Sequence, residues 1–430
     1  MLVLALLLGE VTDGDRVWRR EAADTVLVEW TGAPAGLHAL GVLPQVWCRS
    51  PRAAVDQGAG DAIDRTELRR WLRAAQLLER YGAEQSLDFP TDYERARGPD
   101  GRVATVRVLL GHCQEDPSWA EVASFARFVG VQCDAAEQSI FCDRRLAGDT
   151  LPGFKAFVLR SALEMARDFA TPALLSDESG EPFAAHALRR TWEQQPHPYL
   201  FFNADGQSMT FLGFTIDQDG ALVNAEGGVI RRHMMAPDLQ DGLIQQGVDL
   251  FTPFEALPRG KKLRRICAIL GVLEYDPDES YELTTDNVQK MLAVAMRFRC
   301  GIPVVLMGET GCGKTRLVQY LSALLAGPEH LDAGVPRNLE LLRVHGGTTD
   351  ADVAELVRRA CGRARRSPDR RAVLFVDEAN TSTAVAVVKE IMCDGTLLGQ
   401  DLRDITCGSD AAAHGGEPPV RLHLVAAVNP

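Results

Sequence analysis

The stretch that decides the fold reads Pro303-Val304-Val305-Leu306-Met307-Gly308-Glu309-Thr310-Gly311-Cys312-Gly313-Lys314-Thr315. Its apolar beginning predicts a buried strand, and the apolar residues between Leu317 and Leu325 follow a helical period. A glycine-rich loop between a strand and a helix is suited to phosphate, because the loop N–H groups and the helix N-terminus point at the phosphate oxygens. The sequence therefore predicts a P-loop for a nucleoside triphosphate, Mg-ATP, at Gly308 to Thr315.

We expect every residue of this loop to bind the nucleotide: Gly308, Glu309, Thr310, Gly311, Cys312, Gly313, Lys314 and Thr315. The glycines permit a tight backbone and keep Cβ atoms away from the phosphates. Lys314 would reach the β and γ oxygens, and the Thr315 hydroxyl would complete a Mg²⁺ coordination shell. ATP and Mg²⁺ are thus the expected cofactors.

A second apolar run, Val373 to Val376, ends in two adjacent acids, Asp377 and Glu378. We expect Asp377 to hold Mg²⁺ and Glu378 to polarise the water that attacks the γ-phosphate. The alternative is a buried strand that ends in a solvated acidic turn. One further strand-like run, Leu341 to Val344, lies between the two motifs and is followed by a helix from Asp352 to Arg365. An extra strand with Glu directly after Asp is typical of P-loop proteins that hydrolyse ATP to drive movement.

A third strand is predicted from Leu422 to Val428, and it closes with Asn429. A polar residue at that strand tip can lie between the two motifs and orient the water, so Asn429 joins Lys314 and Glu378 as a candidate catalytic residue. The alternative is a simple turn, since Asn before Pro430 also favours one.

The rest of the chain divides by pattern. Residues 61–195 are predicted to be mainly helical, because apolar residues recur at intervals of three and four, and residues 196–284 form a linker with a small β element. The predicted strands of that element are Tyr199 to Phe202 and Met209 to Ile216. Thr285 or Asp286 caps the first helix of the segment 285–430, which we predict to be an α/β domain with a parallel sheet.

Composition excludes some classes of protein. A formal charge of −13 argues against a surface devoted to nucleic acid, and the ten cysteines show no CxxC pair, which favours a reducing compartment over a zinc or disulfide framework. The apolar opening Leu2 to Leu8 lacks a basic flank and is interpreted as a buried strand or helix. No apolar run is long enough to span a bilayer. The basic run Arg358 to Arg371 is interpreted as the solvated face of a helix; contact with nucleic acid or with another module is the alternative.

The sequence also resembles the mysterin family of giant RING-finger AAA+ ubiquitin ligases. The similarity runs from about residue 110 to the end, and its most specific stretches are Arg297 to Val305 with Gly308 to Arg316, Asp377-Glu378-Ala379-Asn380-Thr381, Lys389 to Asp394, and Leu424-Val425-Ala426-Ala427-Val428-Asn429-Pro430. Two features depart from the family. The stretch Arg403 to Pro419 is longer and richer in Gly, Ala and Pro, as a loop insertion or a gene-model error would make it, and the sequence stops before the last strand of the sheet, the helical lid and any RING.

The resemblance implies several AAA+ modules in one polypeptide that form a dynein-like ring, with the ligase parts further along. Residues 1–60 would then end a preceding module, and 285–430 would be the large domain of an active one. Lys314 and Thr315 match the Walker A pair, Asp377 and Glu378 the Walker B pair, and Asn429 the sensor asparagine. The implied partners are neighbouring AAA+ modules and, through parts outside this sequence, a ubiquitin-conjugating enzyme and protein substrates, all in the cytosol.

The hypothesis at this stage is an ATP-hydrolysing AAA+ module of a ubiquitin ligase. A AAA+ remodelling motor without ligase activity and a nucleotide-binding scaffold without turnover remain alternatives. We expect weak turnover at best from the 430 residues alone.

Overall fold

The computed structural model describes residues 10–13, 16–19, 50–63, 65, 67–82, 90, 92–113, 117–142, 150–170, 192, 196–328, 331–332, 335–367, 369–382, 384–407 and 420–429. The apolar opening Leu2 to Leu8 and the larger part of the predicted loop Arg403 to Pro419 lie outside these residues. The chain divides into two compact units, which are described separately. A helical unit comprises Arg49–Glu274 and Glu282–Cys300. An α/β unit comprises Tyr275–Tyr281, Gly301–Pro430 and a short N-terminal hairpin of Glu10–Asp13 (β1) with Arg16–Arg19 (β2).

The helical unit has helices at Pro51–Asp56 (α1), Leu68–Tyr81 (α2), Tyr93–Arg97 (α3), Pro99–Leu110 (α4), Trp119–Gln138 (α5), Phe154–Ala170 (α6), Pro237–Gln245 (α7), Arg259–Leu270 (α8) and Thr285–Cys300 (α9). Its strands are Tyr199–Phe202 (β3), Met209–Leu212 (β4), Thr215–Ile216 (β5), Leu222–Val223 (β6) and Val229–Arg231 (β7). A capping box of Ser118 and Glu121 begins α5. Aromatic rings fill the core: Phe128 of α5 stacks on Phe169 of α6 with centroids 4.4 Å apart.

The β element of this unit contains the predicted strand Tyr199–Phe202, whereas the predicted run Met209 to Ile216 is divided between two strands, β4 and β5, of different sheets. β3 pairs antiparallel with β4, and β5, β6 and β7 form a second small sheet. The cap of α9 lies one residue earlier than predicted, because the Thr284 hydroxyl accepts from the Asn287 N–H at 3.2 Å. The predicted α/β segment 285–430 begins with α9, but α9 belongs to the compact helical unit. The domain boundaries stay a prediction.

The α/β unit contains the strands Val304–Met307 (β8), Leu331–Asp332 (β9), Val335–Pro336 (β10), Leu339–Arg343 (β11), Arg371–Asp377 (β12), Thr396–Leu397 (β13), Gln400–Asp401 (β14) and Arg421–Val428 (β15). Its helices are Lys314–Ala326 (α10), Asp350–Arg366 (α11), Val385–Lys389 (α12), continued by a π-helical turn at Glu390–Asp394, and Leu402–Cys407 (α13). Four of the strands form a parallel sheet in the order β11-β12-β15-β8. This is the predicted α/β fold, with the extra strand β11 at the edge beyond β12.

Burial explains the central strand β12, whereas the prediction of a buried β8 is wrong, because this strand lies at the edge of the sheet and exposes Val305 and Met307. Ala372 to Val376 of β12 are all buried, as expected of a strand covered on both faces. α11 begins with a capping box of Thr349 and Asp352 and packs a stripe of apolar residues, including Val353 and Leu356, into the same core. Because parallel strands all run the same way, their carboxyl ends meet at one edge, where ligands of such folds bind.

Candidate functional site

The carboxyl ends of β8, β12 and β15 place the predicted motifs side by side. Val428 of β15 pairs with Met307 of β8, and Ala426 pairs with Val376 of β12. The glycine-rich loop that follows β8 and the acidic residues that follow β12 therefore lie on opposite sides of the end of β15. The structure thus brings together residues that are up to 121 positions apart in the sequence, Gly308 and Asn429.

The glycine-rich loop has the backbone that its sequence predicts. Gly311 and Gly313 have φ of 86° and 89°, in the left-handed region that favours glycine, and α10 begins at Lys314 directly after Gly313. A Cβ added at Gly308 would come within 2.9 Å of the Cys312 Sγ. The glycines are thus required by the loop itself, and its end is the N-terminus of a helix of 13 residues, a setting that favours phosphate.

The Lys314 ammonium contacts this loop and the residue that follows β15. It donates to the carbonyl oxygens of Gly308 at 2.6 Å and Glu309 at 2.9 Å. It also lies 3.1 Å from the Oδ1 of Asn429. The structure therefore joins the predicted Walker A lysine to the predicted sensor asparagine by a direct hydrogen bond.

Thr315 and Asp377 form the second direct link between motifs. The Thr315 hydroxyl donates to the Asp377 Oδ2 at 2.7 Å, while the Asp377 Oδ1 accepts from the Glu378 N–H at 3.1 Å. A hydroxyl and a carboxylate held together at a P-loop are the oxygen ligands that Mg²⁺ takes beside phosphates. The residues present therefore fit the metal that the sequence predicts.

Glu378 occupies an unusual backbone conformation. Its φ is 57°, which costs a residue with a side chain free energy, and its side chain is exposed. The conformation is held by Thr381, whose N–H and hydroxyl both donate to the Glu378 carbonyl, at 3.0 and 2.8 Å. Backbone strain that is stabilised by its surroundings is common at functional sites.

Asn380 is a member of the site to which sequence reasoning assigned no role. Its Nδ2 donates to the backbone carbonyl of Asn429 at 3.0 Å. An asparagine after an acidic pair is compatible with any turn, so the motif alone does not reveal this contact. The available signal was a polar residue three positions after Asp377.

The basic run on α11 is partly bound within its own domain. Glu340 of β11 accepts from Arg363 and lies 3.5 Å from Arg359. Arg358 forms a further pair with Glu355 along the helix. Glu340 is buried, so its carboxylate is compensated by these guanidinium groups.

In the described ranges, no group of three or more His, Cys, Asp and Glu residues is arranged to hold a metal ion. Of the helices that the structure describes, none has the length and apolar character needed to cross a membrane.

The parallel sheet, its strand order and the glycine loop define an α/β domain of the AAA type. A family model described as "RNF213 AAA domain" matches residues 281–415. The chain is 40% identical to the human E3 ubiquitin-protein ligase RNF213 over 91% of its own length, and 38% identical to the mouse protein of that name over 96%. The zebrafish E3 ubiquitin-protein ligase rnf213-beta is 36% identical over 90% of the chain. The chain is thus similar to the RNF213 ligases over nearly all of its own length, which confirms the resemblance to mysterin.

The matched region is a small part of each relative. The chain spans 8% of the human protein, 9% of the mouse protein and 8% of the zebrafish protein. These relatives are named as ubiquitin ligases for their whole length, whereas the family model covers the AAA domain.

Proposed function

We propose that the α/β unit binds Mg-ATP and hydrolyses it. The observation that carries the proposal is the double link across the site, Thr315 to Asp377 and Lys314 to Asn429. Four residues from three separate segments thereby converge on the end of one glycine loop. Such convergence is required for phosphoryl transfer, in which catalysis consists mainly of positioning and charge stabilisation.

Each residue then has one task. The N–H groups of Gly308 to Gly313 and the Lys314 ammonium bind the phosphate oxygens, and Thr315 with Asp377 holds Mg²⁺. The metal supplies positive charge that stabilises the negative charge developing on those oxygens. Glu378 accepts the proton of the attacking water, and Asn429 orients that water toward the γ-phosphate.

We further propose that this unit is an ATP-driven module of a ubiquitin ligase. The names of the relatives support this, since the chain resembles them over nearly all of its length. Neighbouring AAA+ modules of one polypeptide would be its direct partners, and a ubiquitin-conjugating enzyme and protein substrates would bind elsewhere, in the cytosol. Ubiquitin transfer by a full-length protein that contains this chain tests the ligase part separately.

Binding of ATP to the 430-residue chain is the first experiment. Titration calorimetry with Mg²⁺ should detect binding of ATP, and Lys314→Ala should weaken it at least about tenfold because the ammonium contacts the phosphates. Lys389→Ala is the matched control, since Lys389 is also a partly exposed lysine of the α/β unit, paired with Asp394 at 2.7 Å. Unaltered ATP affinity in Lys314→Ala would reject the assigned site.

Hydrolysis is tested with the chain in excess over ATP, so that a single slow turnover is visible. Release of phosphate supports the ATPase, and its absence over many hours with ATP fully bound supports a scaffold. Chelation of Mg²⁺ should stop the release, because Thr315 and Asp377 then hold no metal.

A further inference from the structure

Three successive carbonyl groups at the end of β15, those of Ala427, Val428 and Asn429, accept hydrogen bonds from two different loops. The Ala427 carbonyl accepts from the Ala379 N–H at 2.8 Å, and the Val428 carbonyl accepts from the Gly308 N–H at 3.3 Å. The carbonyl of Asn429 accepts from the side chain of Asn380. Successive carbonyls of a strand point to opposite neighbours. The loop after β12, here called the acidic loop (Glu378 to Thr381), therefore donates to the first and third carbonyls, and the glycine loop donates to the second.

The side chain of Asn380 donates the hydrogen bond that a backbone N–H would donate if β12 continued as a strand. β12 ends at Asp377, and Ala379 supplies the last backbone rung beside β15. In a continuing strand the N–H of Thr381, two residues after Ala379, would form the next rung, but it donates to the Glu378 carbonyl instead. The carboxamide of Asn380 therefore extends the hydrogen-bond ladder by one rung, to Asn429, and the side chain of Asn429 contacts Lys314.

We propose that Asn380 is a positioning residue, which holds the backbone of Asn429 so that the Asn429 amide faces the ammonium of Lys314 and the γ-phosphate. This inference rests on the proposed function of the site. Asn380 acts through Asn429, since its bond is to the Asn429 carbonyl, while the Asn429 Oδ1 lies 3.1 Å from the Lys314 Nζ. Removal of the rung should therefore affect recognition of the γ-phosphate and leave binding of the remaining phosphates unchanged.

The test compares affinities for Mg-ATP and Mg-ADP in the 430-residue chain carrying Glu378→Gln, so that bound ATP persists. Asn380→Ala and Asn380→Leu, a neutral side chain of similar size without a donor, should each lower the preference for ATP over ADP by about tenfold, the upper range for one hydrogen bond. The affinity for ADP should stay within about twofold. Asn287→Ala is the matched control, because it removes another exposed carboxamide-to-carbonyl bond, to Glu282 at 2.9 Å, in the helical unit.

A double-mutant cycle with Asn429→Ala separates positioning from general damage. Once the Asn429 side chain is absent, substitution of Asn380 should change the ATP preference no further. The inference is wrong if the preference is unaltered in Asn380→Ala and Asn380→Leu, if affinities for ATP and ADP fall together, or if the effects multiply in the double variant. A Glu378→Gln chain that binds neither nucleotide would instead reject the proposed function itself.

Discussion

Replacement of Glu378 by glycine should stabilise the fold while it slows hydrolysis. Glu378 has φ of 57° and an exposed side chain, so glycine would adopt the same backbone without strain and with little loss of packing. The left-handed conformation costs a non-glycine residue about 1–2 kcal/mol. Glycine gives back about 0.4–1 kcal/mol through the greater freedom of the unfolded chain. The net gain in the free energy of unfolding is therefore about 0.5–1 kcal/mol.

Glu378→Gln separates the backbone from the carboxylate. Glutamine keeps the strain, so the free energy of unfolding should equal that of the unsubstituted chain, whereas both variants lose the proton acceptor and should hydrolyse ATP about 10²–10⁴-fold more slowly. Urea denaturation measures the first quantity, and phosphate release in a single turnover measures the second. A Glu378→Gly chain less stable than Glu378→Gln would refute the strain argument, and hydrolysis at the unsubstituted rate in Glu378→Gln would refute the assignment of the base.

Two other predictions concern residues outside the proposed chemistry. Leu398 and Gly399 both have positive φ at the tip of the β13–β14 hairpin, and Leu398 is 56% exposed. Because asparagine tolerates this conformation, Leu398→Asn should raise the free energy of unfolding by about 1 kcal/mol in urea denaturation. A loss of stability in this variant would contradict the prediction. Burial, and then the charge of Arg371, lower the pKa of His423 to about 4. His423 thus binds a proton near pH 6.5 in the unfolded chain but only near pH 4 in the folded chain. The contribution of His423 to the free energy of unfolding is therefore full above pH 6.5 and falls by about 2 kcal/mol between pH 7 and pH 5. His423→Gln should lose less stability over that interval than the unsubstituted chain in the same urea assay, and an equal loss in both would contradict the role of this histidine.

The elements around the site were predictable because each has a local signature. The apolar run Val373 to Val376 predicts a buried strand, and the helix predicted from Asp352 to Arg365 is observed from Asp350 to Arg366. The P-loop was predictable for a related reason, since the glycine positions, the lysine and the hydroxyl are fixed by phosphate chemistry. The assigned roles of its residues stay predictions until nucleotide is bound.

The contacts between motifs were not predictable in the same way. The bond from Asn380 to Asn429 depends on β15 lying beside β12, a pairing of residues far apart in sequence that no local pattern specifies. The positive φ of Glu378 is equally hidden, since glutamate has no preference for it and the conformation is imposed by Thr381. The cap of α9 lies at Thr284 and not at the predicted Thr285 or Asp286, because the hydroxyls of Thr284 and Thr285 are chemically equivalent.

The alternating hydrogen bonds at the end of β15 connect both loops of the site to one strand. The loop after β12 bonds to Ala427 and Asn429, and the glycine loop bonds to Val428 between them, so a pull along the strand axis acts on both loops together. Sliding by a single residue, about 3.3 Å, would break all three bonds at once. A force transmitted to β15 would therefore disrupt both loops at once.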